Sequence, residues 1–299
     1  MKRLRARRAP RAGLGAPTWG EARRKAICSR PHAGAMLSGL FHMFKGMPAL
    51  AEADHPVARL PFACPPLDEL LHGGVETGAI SEFFGEAGAG KTNVCLQLAR
   101  NAALAGRKTV YIDTEGVSLE RLAQMSGEHY RRVRESILFF EPYSLAEQQA
   151  VIEKTVRLAA GSPEIGLIVL DSAAIHYRIA LGTGDDVGGR RALAAQLHQL
   201  TGVARKRDIP VVMTNQVTTN LETEELEPLG GQVIRHLAKA VIRLEKIGPA
   251  RRRATILKHR SVHEGLSAEF RITTRGLAGE EEPAPLVAVW DVQPGSAEP

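Results

Sequence analysis

Eight consecutive residues, Gly85-Glu86-Ala87-Gly88-Ala89-Gly90-Lys91-Thr92, follow the spacing G-x-x-x-x-G-K-[ST] of a phosphate-binding loop. Its three glycines let the backbone close on phosphate oxygens with N–H groups turned inward, and the positive end of a following helix adds to the attraction. Lys91 is expected to reach the β- and γ-phosphates of a nucleotide and the Thr92 hydroxyl to hold Mg²⁺. Asn93 extends the stretch expected to touch the nucleotide. Two carboxylates have the placement to work with this loop. Leu167-Ile168-Val169-Leu170 is an apolar run ending in Asp171, the form of a Walker B strand whose aspartate faces the metal through water. Glu115, in Asp113-Thr114-Glu115-Gly116, is the candidate to orient and deprotonate an attacking water, since phosphoryl transfer asks the protein mainly for positioning and charge neutralisation. Gln216, in Thr214-Asn215-Gln216, could hydrogen-bond the γ-phosphate and report its loss. The plainer readings are a helix cap or turn former for Asp171 and a solvated turn residue for Glu115.

These residues fall at the ends of the apolar segments that must carry them. Ala79 to Phe84 precedes the loop as a strand, and Thr92 to Ala105 follows as a helix whose apolar positions are Val94, Leu96, Leu98, Ala102 and Leu104. A second strand, Thr109 to Asp113, leads to Glu115, and a helix from Ser118 sets Leu119, Leu122 and Met125 on one side. Ile137 to Phe140, Leu167 to Leu170 and Val211 to Thr214 are further strands, with helices at Leu145 to Ala159 and Arg190 to Lys206. Strands alternating with helices predict a parallel sheet covered on both faces. Ligands of such sheets bind at the carboxyl edge, where all four candidates lie. A short helix, Pro65 to Leu71, ends at Gly73-Gly74 ahead of this core. After Gly230-Gly231 the rhythm changes. Ala240 to Lys246, Ala254 to His259, Ala268 to Thr273 and Leu286 to Asp291 read as an antiparallel extension of the sheet.

With 44% hydrophobic and 24% charged residues among 299, the composition is that of an ordinary globular protein. No apolar run approaches membrane-spanning length, so a cytoplasmic protein, associated with the nucleoid if it handles DNA, is the expectation. The formal charge of +6 is concentrated between Met1 and Arg30, where ten lysines and arginines face Glu21 alone. The remainder is close to neutral, so the high pI is weak evidence for nucleic-acid binding by the folded part. Cys28, Cys64 and Cys95 show no metal or redox spacing, which fits a reducing compartment. Residues 1–58, broken by prolines and glycines and without a sustained period, are expected to be a disordered basic tail, with 59–299 as one domain. Three readings of that tail stand: a start called too early, with Met36, Met43 and Met47 as alternatives, a basic arm that grips nucleic acid, or an organelle transit peptide.

With these residues in place, the chain resembles the RecA/RadA recombinase superfamily, and within it the archaeal RadB group of short paralogues. The resemblance runs from about Leu60 to Leu277. It is carried by Gly85 to Thr92, Tyr111-Ile112-Asp113-Thr114-Glu115-Gly116, Leu170-Asp171-Ser172, Thr214-Asn215-Gln216-Val217, Pro228-Leu229-Gly230-Gly231 and Lys258-His259-Arg260-Ser261. The first motif is shared by many ATPases, whereas the ordered set is specific. The resemblance implies a RecA-type α/β ATPase core with ATP and Mg²⁺ as cofactors. It also implies that Glu115 activates water, that Gln216 couples nucleotide state to a DNA-binding loop, and that Arg121 lies against adenine. Its functional implication is ATP-dependent DNA recombination or repair, with single-stranded DNA and recombinase or other repair proteins as partners.

The chain also departs from that pattern. The residues before the core show no helix-hairpin-helix pattern, and no clear F-x-x-A segment precedes it, so filament formation by the usual route is not expected. Four glutamates, Glu222, Glu224, Glu225 and Glu227, occupy the segment where a recombinase places its second DNA-binding loop, and they would repel phosphate at short range. In the first loop Tyr177 could stack on a base, unless it belongs to the core, and Arg178, Arg190 and Arg191 could contact phosphates. DNA binding is therefore expected to be weak and salt-sensitive. Gly248-Pro249 with Arg251-Arg252-Arg253 reads as a tight turn between strands. Beyond it Lys258 and Arg260 resemble the finger that several RecA-fold ATPases insert into a neighbouring subunit's site, which would require self-association. A DNA-contacting patch or a plain solvated surface is the alternative. The whole reads as a weakly hydrolysing mediator or regulator of strand exchange. Its rivals are a non-hydrolysing ATP-bound switch and a KaiC-like signalling ATPase.

Overall fold

Central segments such as Ile165 to Leu170 are apolar at consecutive positions, so both faces of their strands must find cover. The computed structural model describes residues 57–181, 186–219, 226–229, 234 and 236–280. Strands β1 (Arg59–Leu60) and β2 (Val75–Glu76) pair with each other and bracket helix α1 (Pro65–Leu70). The core then runs β3 (Ile80–Phe84), α2 (Lys91–Leu104), β4 (Lys108–Asp113), α3 (Leu119–Ser126), α4 (Tyr130–Glu135), β5 (Ile137–Phe140), α5 (Leu145–Gly161) and β6 (Ile165–Asp171). Helices α6 (Ile175–Leu181) and α7 (Asp186–Arg207) lead to β7 (Val211–Asn215), followed by a separate ribbon, β8 (Val217–Thr219) with β9 (Leu226–Pro228). Strands β10 (Ala240–Lys246), β11 (Arg251–His259), β12 (Ser267–Thr273) and β13 (Gly276–Ala278) complete the described chain.

The described sheet has nine strands in the order β13-β12-β11-β10-β3-β7-β6-β4-β5. Parity along each strand divides the side chains between two cores. Phe83, Tyr111, Val169, Val212 and Ile242 face α2, α3 and α4. Phe84, Val110, Ile112, Ile168, Leu170 and Met213 face α5, α6 and α7. Adjacent phenylalanines thus serve opposite layers, which is why the run shows no polar alternation.

Several expectations change. Strand β10, expected to belong to the antiparallel extension, runs parallel to β3, with Arg243 opposite Phe84. The long connection from Gln216 to Lys239 allows the crossover that parallel pairing needs, and antiparallel order begins at β11. Arg251, Arg252 and Arg253 are strand residues of β11, not part of a turn. Leu122 and Met125 are buried on α3, whereas Leu119 is exposed. Helices α4 and α6 and the β8–β9 ribbon were not anticipated, each being too short for a periodic signal. Of the expected tail, Val57 and Ala58 alone are described, and Ala58 O accepts from Thr77 N at 2.9 Å. The strand expected at Leu286 to Asp291 lies outside the described residues. No described helix is long and apolar enough to cross a membrane.

Candidate functional site

The carboxyl ends of β3, β7, β6 and β4 are consecutive in the sheet, and they deliver in that order the phosphate loop, Gln216, Asp171 and Glu115. The loop is shaped by close backbone approach. A Cβ on Gly85 would collide with the Leu244 carbonyl of β10, and Gly90, at φ +101°, would place one 2.8 Å from Ile272 Cδ1 of β12. Gly90 caps the amino end of α2, so the helix dipole points at the loop. Lys91 is 8% exposed, and its Nζ donates to Gly85 O at 2.8 Å and Glu86 O at 3.0 Å. Burial pushes this ammonium below its ordinary pKa, while the carboxylates of Glu115 and Asp171 hold it up.

Asp171 is 1% exposed and fully engaged. Tyr111 OH donates to Oδ2 at 2.8 Å, Thr214 Oγ1 donates to Oδ1, and Thr92 adds a further hydrogen bond. Burial raises its pKa, those three donors lower it again, and Glu115 adds to the rise. The net direction is upward. The folded protein thus holds this proton more tightly than the unfolded chain, and the carboxylate opposes folding as pH climbs past the unfolded value of about 4. Asp171→Asn is therefore expected to melt at or above the parent's temperature at pH 7, with the difference closing below about pH 4. The same variant should lose the Mg²⁺ dependence of nucleotide binding. Melting curves across pH check the sign, and a variant that melts lower than its parent only at neutral pH contradicts it.

Asp113 folds the turn that presents Glu115. Its Oδ1 accepts from Glu115 N at 3.1 Å and Gly116 N at 2.8 Å, and its Oδ2 from Val117 N at 2.6 Å. Thr114 ties the same turn to β6: its N donates to Asp171 O, and its Oγ1 donates to Ser172 O at 2.9 Å and accepts from Ser172 N at 2.7 Å. Held in this way, Glu115 is exposed, and its Oε1 accepts from Gln216 Nε2 at 2.9 Å. The residue proposed as base and the residue proposed as sensor are thus in contact. Asn215, one residue before Gln216, donates to buried Glu82 of β3 at 3.0 Å and to Leu229 O at the base of the ribbon.

Arg121 and Asn93 also meet, Nε donating to Oδ1 at 2.8 Å. The Arg121 guanidinium reaches Thr273 O at 2.7 Å and Thr274 O at 3.1 Å in the β12–β13 turn. Nearby, buried Arg100 donates to Met125 O and Arg275 O, both at 2.9 Å, and burial brings its pKa down to about 10.

The DNA-facing assignments divide. Arg178, Arg190 and Arg191 are exposed around residues 182–185, which are outside the described set. Tyr177 is 3% exposed and sits in the core under α5, α6 and α7. Its ring is enclosed by that packing, which corrects its assignment as a base-stacking platform. The acidic stretch Glu222 to Glu225 also lies outside the described residues. Lys258 and Arg260 are not near their own loop. Lys258 pairs at the level of Val241 and donates to Ala238 O at 2.9 Å. Arg260 forms an ion pair with Glu76, the last residue of β2, which precedes the amino end of β3 in the chain.

Tyr111, Asp113, Thr114, Thr214 and Arg252, quoted above only within longer motifs, join the site without a role assigned from the sequence. Asp113 had a signal in sequence, an aspartate opening a turn two residues before the candidate base. The others are set by neighbouring strands.

Residues 55–280 match the family model described as Rad51. A protein of Methanococcoides burtonii named DNA repair and recombination protein RadB is 45% identical over 216 residues, covering 72% of this chain and 95% of that one. Its namesake from Thermoplasma acidophilum is 42% identical over 215 residues, covering 72% of this chain and 91% of that one. A solved structure described as the crystal structure of the RadB recombinase superposes with a TM-score of 0.65 at 35% identity, covering 74% of this chain and 100% of that one.

Proposed function

The chain belongs to the Rad51 family and to its RadB group, and from that premise we propose that it is an ATP-dependent DNA-binding protein of homologous recombination and DNA repair. In this reading it is a recombinase paralogue in the cytoplasm, at the nucleoid, that mediates or regulates strand exchange and hydrolyses ATP weakly. The observation that carries the reading is the row of strand ends in which Gln216 Nε2 meets Glu115 Oε1 at 2.9 Å beside buried Asp171 and Lys91. The residues fit Mg²⁺ and ATP: a buried ammonium at the base of a glycine loop, a hydroxyl against a buried carboxylate, and a second carboxylate free to face solvent. Magnesium, when bound, neutralises charge on the phosphates. Lys91 and the loop amides bind phosphate oxygens, Thr92 and Asp171 hold the metal's ligand positions, and Glu115 takes a proton from water. Gln216 links that chemistry to the ribbon beyond it, and Arg121 with Asn93 borders the base.

Arg178, Arg190 and Arg191 supply phosphate contacts, which makes DNA binding salt-sensitive. Because Arg260 lies at the end of β3 remote from the loop, Lys258 and Arg260 would serve a neighbouring protomer or partner, not their own nucleotide. A second reading draws on the same contact. With Glu115 Oε1 already bonded to Gln216, the protein could act as an ATP-bound switch with little turnover.

The test is ATP turnover by the full chain, with and without single-stranded DNA, across protein concentrations and at two salt levels. We expect stimulation by DNA, attenuation by salt and a rate rising faster than protein concentration. Arg260→Ala should abolish that rate while ATP affinity stays within about threefold of the parent, roughly 0.7 kcal/mol. Equal loss of rate and affinity would sink the trans role. A flat, near-zero rate despite clear ATP binding would select the switch.

A further inference from the structure

The three arginines that open β11 do not share a fate, because a strand turns alternate residues to opposite faces. Arg251 and Arg253 point outward, where both pair with Glu269 of β12. Arg252 points inward and is 8% exposed. Its Nε donates to Gly88 O at 3.1 Å, at the tip of the phosphate loop, and its Nη1 donates to Gly248 O at 3.3 Å and Arg251 O at 2.9 Å. One residue along the loop from Ala89, Ile272 of β12 closes on Gly90, with Arg252 Nε also within 3.9 Å of where a Cβ would stand. From α3, Arg121 grips the carbonyls of Thr273 and Thr274. The hairpin β11–β12 and its following turn thus touch the nucleotide region at three points, all from the same chain.

We propose that Arg252 is a positioning residue of the phosphate loop, holding the Gly88 carbonyl outward so that the loop keeps the shape that receives phosphate. The peptide linking Gly88 and Ala89 has its C=O and N–H on opposite sides. With the carbonyl anchored to the guanidinium, the Ala89 N–H is turned back into the loop, where it donates to Glu86 O at 3.1 Å. The tip itself, Glu86 to Gly88, is exposed, so packing holds that peptide only at its Ala89 end, whose methyl is buried in the core, and the Gly88 carbonyl has Arg252 as its anchor. Burial lowers the guanidinium's pKa somewhat, yet an arginine keeps its charge, and a charged donor makes the stronger hydrogen bond to a carbonyl. A mobile tip would have to be ordered each time a nucleotide binds, and pre-ordering removes that entropic cost.

This inference rests on the reading of the loop as a nucleotide site, and the experiment separates the two. Binding of fluorescent ADP and of a non-hydrolysable ATP analogue, both with Mg²⁺, is measured on the full chain for the parent, Arg252→Ala, Arg252→Lys and Arg253→Ala. Melting temperatures and amide exchange of the loop peptide are measured alongside. Arg252→Ala should weaken both nucleotides about tenfold and speed exchange at the loop tip. Arg252→Lys should recover part of the affinity, since a single ammonium can still reach Gly88 O, and Arg253→Ala should stay within about twofold of the parent. Should Arg252→Ala fail to fold, the lysine variant carries the test, with affinity and tip exchange intermediate between loss and parent. A parent that binds no nucleotide overturns the reading of the loop. A parent that binds, beside arginine variants that bind as well with unchanged tip exchange, overturns the role of Arg252.

Discussion

Lys91→Ala is expected to reduce affinity for Mg·ATP at least ~100-fold, about 2.7 kcal/mol, while the protein stays folded. The ammonium is buried, and its two loop contacts, Gly85 O and Glu86 O, place it inside the phosphate cradle. Charge-assisted contacts of this kind are roughly twice as strong as neutral ones. Its removal would also take from buried Asp171 and exposed Glu115 a positive charge with which both interact. The fold should tolerate the change because the same burial already disfavours the charged ammonium, so its loss relieves a desolvation cost as it removes two hydrogen bonds. Isothermal titration with ATP and Mg²⁺ beside a melting curve makes the check. Retained affinity in a folded variant would mean that the glycine loop is not the nucleotide site.

Glu115→Gln is expected to lower any ATP turnover by ~10²–10⁴-fold, the usual size of a general-base contribution, with ATP affinity almost unchanged. Glutamine matches glutamate in shape, can still accept from Gln216 through its carbonyl oxygen, and leaves the Asp113 turn intact because that turn uses backbone N–H groups of residues 115–117. The missing property is the capacity to take a proton. Single-turnover hydrolysis with excess protein isolates that step from nucleotide release. An unchanged rate would assign the base elsewhere. Retention of a DNA-repair phenotype by this variant would favour the switch, because a switch needs the bound nucleotide and not its cleavage.

Both predictions concern residues that were legible without coordinates, and their supports were not. The loop was visible because its chemistry is local: seven peptide links and one lysine suffice to define it, and an apolar strand and an apolar helix flank it. Asp171 and Glu115 were visible as carboxylates just past apolar runs. Tyr177 illustrates the opposite case. Its sequence neighbourhood, next to Arg178 and a glycine-rich segment, suits a base platform, but the helix α6 on which it sits packs against α5 and α7 and turns the ring inward. Arginines 251 to 253 look uniform in sequence, and strand parity alone divides them between an exposed ion-pair cluster and the underside of the phosphate loop.

The amino-acid sequence by itself determined the family and most element boundaries and supplied the residues of the proposed nucleotide site, because each depends on spacing within a few residues or on apolar periodicity. Tertiary structure alone decided which strand ends are neighbours. The order β3-β7-β6-β4 brings Gln216 to Glu115 across 101 positions of sequence and sets Tyr111 and Thr214 on either side of Asp171. The parallel course of β10 carries the β11–β12 hairpin back to the loop. Strand order and facing are outcomes of how the whole sheet buries its two cores, so no short stretch contains them.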